Sequence, residues 1–73
     1  MSNTEIKLKI IEAGQKAVDE LISVAKEKIV TGSEDDLSAD RLKNAAATKK
    51  LAIFDAFEIL NRIEQERDVI ELE

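Results

Sequence analysis

No proline, cysteine, histidine, tryptophan or tyrosine occurs in these 73 residues, and glycine occurs only twice. Each absence excludes something. Without cysteine there is no disulfide and no thiolate nucleophile or metal ligand. Without histidine the commonest general base and the commonest transition-metal ligand are missing. Without proline, and with glycine only at positions 14 and 32, long helices meet few breakers. The aromatics are Phe54 and Phe57, too few for a base-stacking surface. No apolar run reaches the roughly 20 residues that a membrane-spanning helix requires.

What is present is helix-forming. Ala, Leu, Ile, Glu and Lys dominate, charged residues are 37% and hydrophobic residues 44% of the chain. The length allows one small domain. Eleven basic against sixteen acidic side chains give a net charge of −5, a balance that disfavours a protein devoted to neutralising phosphates. The first residues lack a basic segment followed by an apolar one, so a secretory signal is not expected and a cytoplasmic location is.

Two amphipathic stretches are separated by Thr31-Gly32-Ser33-Glu34-Asp35-Asp36-Leu37. The pattern predicts an all-α fold: two long antiparallel helices, about 5–31 and 38–71, in a single helical-hairpin domain over 1–73 with its turn at about 31–37. Ser2 with Glu5 forms a capping box, and Thr4 is a competing cap. Ile6, Leu8 and Ile10 alternate with Lys7 and Lys9 as a strand would. From Ile10 onward, however, Ile11, Val18, Leu21, Ile22, Ala25 and Ile29 follow helical spacing, with Lys9, Glu12, Lys16, Glu20 and Glu27 opposite. Gly32 stands where a glycine would close the first helix. Ser38 is placed as N-cap of the second, Asp40 lies in its first turn, and Leu37 with Leu42 has the spacing of a hydrophobic staple.

On the second helix the apolar face reads Leu42, Ala46, Ile53, Ala56, Phe57, Leu60 and Ile63. A turn centred near residues 34 and 35 pairs positions whose numbers sum to roughly 69. Leu42 then meets Ala25 and Ile29, Leu60 meets Ile10, Ile63 meets Ile6, Phe57 covers Gly14, and Lys49 lies near Glu20. Ala47, Leu51 and Phe54 recur at helical spacing on another side, and Ile10, Ala17 and Val24 widen the stripe of the first helix. A two-helix hairpin cannot cover both sides. Self-association into a bundle or ring, or docking on a larger protein, is expected to complete it, with Ala47, Leu51 and Phe54 as candidate partner-binding residues.

Glu34, Asp35 and Asp36 invite a cation reading, but the spacing lacks the glycine and closing glutamate of a calcium loop, so no metal site is expected. Lys26, Lys28, Arg41, Lys43, Lys49 and Lys50 gather towards the turn. They form a candidate nucleic-acid patch, which their interleaved acids and the missing aromatics weaken. Asp55 and Glu58 lie on an exposed face without a pocket, and no residue set suggests catalysis or a cofactor. The expectation is a non-enzymatic helical interaction protein. The alternative is a small accessory protein of a nucleic-acid machine, using the basic turn end.

The run Asn44-Ala45-Ala46-Ala47-Thr48-Lys49-Lys50-Leu51-Ala52-Ile53-Phe54-Asp55-Ala56-Phe57-Glu58-Ile59-Leu60-Asn61-Arg62-Ile63, preceded by Ala17-Val18-Asp19-Glu20-Leu21-Ile22-Ser23-Val24-Ala25-Lys26, resembles the oligomerising hairpin of tailed-phage small terminase subunits. The resemblance spans about residues 10–67 and is one of architecture. It implies ring assembly, DNA recognition and regulation of a packaging motor. The chain is shorter than members of that family and lacks a separate DNA-binding segment and a motor-binding tail. No functional residue carries over.

Overall fold

The computed structural model describes residues 2–29 and 36–72. Helix α1 spans Asn3–Lys26 and helix α2 spans Asp36–Leu72, packed side by side as an antiparallel hairpin 58 Å long and 17 × 14 Å across. The length follows from α2 alone, whose 37 residues rise roughly 1.5 Å each.

The start of α1 is the expected capping box. Ser2 has extended backbone, and its Oγ accepts the amide N–H of Glu5 at 3.2 Å. The same hydroxyl donates to Glu5 Oε1 at 3.4 Å, and the Ile6 amide donates to the Ser2 carbonyl at 3.1 Å. Two amide donors of the first turn are thereby satisfied. Inside the helices, the hydroxyls of Ser23 and Thr48 donate to the carbonyls of Asp19 and Asn44, one turn earlier.

Two boundaries differ from the expected ones. Helix α1 stops at Lys26 rather than near residue 31, and Glu27 turns into extended backbone (φ −60°, ψ 132°). Helix α2 already includes Asp36 and Leu37, so Ser38 is its third residue and not its cap. Residues 30–35, Gly32, Glu34 and Asp35 among them, lie outside the described residues, as does the side chain of Leu37 that the staple requires.

The seam between the helices has a heptad pattern. On α2 the residues with reduced exposure are Ala45, Lys49, Ala52, Ala56, Ile59, Ile63, Glu66 and Ile70, at alternating spacings of four and three. On α1, Thr4, Lys7, Ile11, Gly14, Val18, Leu21 and Ala25 follow the same rule, with Ala17 and Val24 partly covered beside them. The fully buried set is small: Ile11, Ala52 and Ile63. Small residues at Gly14, Ala25, Ala45, Ala52 and Ala56 let the backbones approach, and polar residues close both ends of the seam.

This seam corrects the expected face of α2. Ala56 and Ile63 belong to it, but Leu42, Ala46, Ile53, Phe57 and Leu60 are exposed, Phe57 to 61%. The expected pairing is also off by about one helical turn. Lys7 meets Glu66, Gly14 meets Ile59, and Lys49 meets Val24, so partners sum to about 73 rather than 69. A Cβ built on Gly14 would lie 3.2 Å from Ile63 Cδ1 and 3.4 Å from Ile59 Cγ2, so these isoleucines, not Phe57, occupy the space the glycine leaves. The physical reason is size. Bulky apolar side chains dominate a hydrophobicity reading, yet a close two-helix seam is filled by the small ones and carries the bulky ones on its flank.

Candidate functional site

The two flanks of the seam differ in character. On one flank Val18, Leu21, Ile22 and Ala25 of α1 and Ala52, Ile53, Ala56, Phe57 and Leu60 of α2 line a shallow, almost wholly apolar groove, with Lys26 at its end. Ile22, Ile53 and Leu60 are each more than 40% exposed. Leu8, 48% exposed, continues this flank two turns before Gln15 and four before Ile22, at the same heptad position as both. On the other flank Ile10, Gly14 and Ile59 are bounded by Arg62 and Glu66, which break the apolar surface.

Ala47, Leu51 and Phe54, the partner candidates from the sequence, are all exposed, Leu51 to 61% and Phe54 to 52%. At about 100° of rotation per residue they lie on the side of α2 turned away from α1. Phe54 sits one turn before Phe57, beyond the residues that line the groove. Lys50 Nζ lies 5.4 Å from the centre of the Phe54 ring, within cation–π range. Leu51 and Ala47 lie further round. Hydrophobicity along the sequence assigns the groove residues Ile53, Phe57 and Leu60 to the hairpin core, whereas all three are exposed. The signal that separates them is the alanine heptad Ala45, Ala52, Ala56, which claims the seam.

The six basic candidates do not form one surface. Lys49 points into the seam, and its ammonium donates to the carbonyls of Val24 at 3.4 Å, Ala25 at 2.9 Å and Glu27. It therefore serves the negative end of α1 rather than an external anion. The expected Lys49–Glu20 pair is absent, because the shifted register carries Lys49 past Glu20 to the helix end. Lys28 and Arg41 flank a cleft with Ile29, Ala45 and Thr48. Lys26 edges the apolar groove on the opposite flank, while Lys43 and Lys50 are exposed on α2.

The open end of the hairpin holds a polar cluster. Glu66 Oε1 receives the Arg62 guanidinium through Nη2 at 3.1 Å and Nε at 3.2 Å, one turn away on α2. Its Oε2 is a buried atom without a hydrogen bond of normal geometry, and Lys7 Nζ of α1 stands 3.3 Å from it as counter-charge. The Arg62 hydrogen bond first, and then Lys7, hold the Glu66 carboxyl below its ordinary value of 4.5. Lys7 is the cross-helix partner, so this cluster ties the ends of the two helices together.

Among the described residues no group of three or more acidic side chains is arranged to hold a metal ion, and no helix is long and apolar enough to cross a membrane. The described surface offers apolar contact and charge. No protein-family model, curated protein or solved structure matches this chain.

Proposed function

We propose that this chain is a non-enzymatic helical interaction protein whose work is association through the apolar flank of its hairpin. One observation carries the reading: Ile22, Ile53, Phe57 and Leu60 stand 42–61% exposed around a continuous apolar groove, while only Ile11, Ala52 and Ile63 are buried among the described hydrophobic residues. A hairpin with so small a core gains most of its stability from what covers it. Exposed apolar surface bounded by charge is the usual mark of a protein contact. Phe57 is the natural anchor, being large, aromatic and central to the groove.

Phe57→Asp tests this. It places a charge on the groove without touching the seam, so association should be lost, and the melting temperature should fall with it because the covering partner stabilises the hairpin. Unchanged sedimentation and unchanged capture of partners would refute the reading. Nucleic-acid contact through the basic end has less support, because Lys49 is committed to the α1 carbonyls.

A further inference from the structure

The exposed stripe that borders the groove on α2 contains a second heptad series, Lys43, Lys50, Phe57, Glu64 and Glu71. All five are exposed, and each is seven residues from the next, so they lie in one row along the helix. The row is antisymmetric in charge about Phe57. Two lysines precede the phenylalanine and two glutamates follow it, at equal distances. A row of this kind complements itself only when it is reversed.

The geometry points to a second copy of this chain as the occupant of the groove, related by a two-fold axis that passes between the two Phe57 rings. The inference rests on the interaction role proposed above and names its partner and symmetry. The axis makes α2 antiparallel to α2 of the second copy. Lys50 then faces Glu64 of the second copy, Lys43 faces its Glu71, and the same two pairs recur by symmetry. Helix α1 supplies an independent check. On the same flank Leu8 and Ile22 lie seven residues either side of Gln15, and the observed register sets Gln15 level with residue 58. One axis therefore serves both helices, placing Leu8 against Ile22 of the second copy while Phe57 meets its mate. Glu12 and Asp19 approach their acidic counterparts across this axis. Both are exposed, and Glu12 has Lys16 Nζ at 4.0 Å, which limits the cost.

The experiment reverses the charges in two halves. Lys43→Glu with Lys50→Glu makes the row entirely acidic, and Glu64→Lys with Glu71→Lys makes it entirely basic. Each variant should self-associate roughly tenfold more weakly than the native chain at low ionic strength, and an equimolar mixture should form a heterodimer seen by native mass spectrometry. The native chain lacks cysteine, so Phe57→Cys gives a second readout that does not depend on charge. It should oxidise to a disulfide-linked dimer, and Leu51→Cys should not. Heterodimer formation with the 57–57 cross-link supports the two-fold arrangement. Self-association unaltered in both charge variants, a ring without the cross-link, or a native chain monomeric at millimolar concentration overturns it. The last outcome would leave the broader interaction role standing, with a different protein as partner, whereas Phe57→Asp addresses that role itself.

Discussion

Lys49 Nζ donates to the main-chain oxygen of Ala25 at 2.9 Å, across the hairpin and twenty-four positions back in sequence. This contact, with those to Val24 and Glu27, ends α1. The segment Glu27-Lys28-Ile29 contains no glycine or proline to stop a helix. The carbonyls at the helix end are satisfied by this side chain of the other helix and, at Val24, also by the Glu27 amide N–H at 3.2 Å.

Lys49→Met keeps the aliphatic stem and removes the donor. It should destabilise the hairpin by about 1.5–3 kcal/mol, the range for hydrogen bonds to a charged group. Urea unfolding at fixed protein concentration measures this, and amide exchange should quicken in the last turn of α1. An unchanged midpoint would mean that water caps these carbonyls equally well.

Gly14 faces the ends of Ile59 and Ile63. Alanine would meet Ile63 Cδ1 at 3.2 Å, a tight contact with a terminal methyl that can yield, and would recover about 1 kcal/mol of helix propensity. Gly14→Ala should therefore change stability by less than about 1 kcal/mol, whereas Gly14→Leu should overfill the seam and cost ~1–3 kcal/mol. Thermal unfolding of the two variants separates the effects. A leucine variant as stable as native would place Gly14 outside the seam.

Glu66 links stability to pH. Its carboxyl titrates lower in the folded chain than the ordinary 4.5, because Arg62 and then Lys7 favour the charged form. The folded state thus binds the proton less readily than the unfolded one. The contribution is fully present above the ordinary value and is lost as pH falls through the folded value below it. Glu66→Gln should lower the melting temperature at neutral pH and shrink the acid-induced drop between about pH 5 and pH 3. A double-mutant cycle with Lys7→Met tests the cross-helix share. An acid limb identical in the native chain and the Glu66→Gln variant would remove Glu66 from this account.

Phe57 and Leu51 are equally exposed, at 61%, yet differ in setting. Phe57 lines the groove and Leu51 faces away from α1. Phe57→Asp should abolish association, Phe54→Asp should weaken it from the edge, and Leu51→Asp should leave the mass in sedimentation near native. Loss of association with Leu51→Asp alone would move the contact to the Ala47–Leu51–Phe54 side.

Composition and periodicity alone determined the all-α hairpin, the Ser2–Glu5 cap and most of the face of α1, where Ile11, Val18, Leu21 and Ala25 keep one helical stripe while Ile22 lies 46% exposed on its flank. These are local features, set by backbone propensity and by spacing along one helix. Tertiary structure decided the rest. Which side of α2 meets α1 depends on how closely two backbones can approach, so Ala45, Ala52 and Ala56 prevail over the more hydrophobic Ile53, Phe57 and Leu60. The register depends on where polar groups find partners across the seam, so Lys49 reaches the end of α1 instead of Glu20, and Lys7 reaches Glu66. Neither relationship is visible along a single helix, because each is fixed by atoms of both.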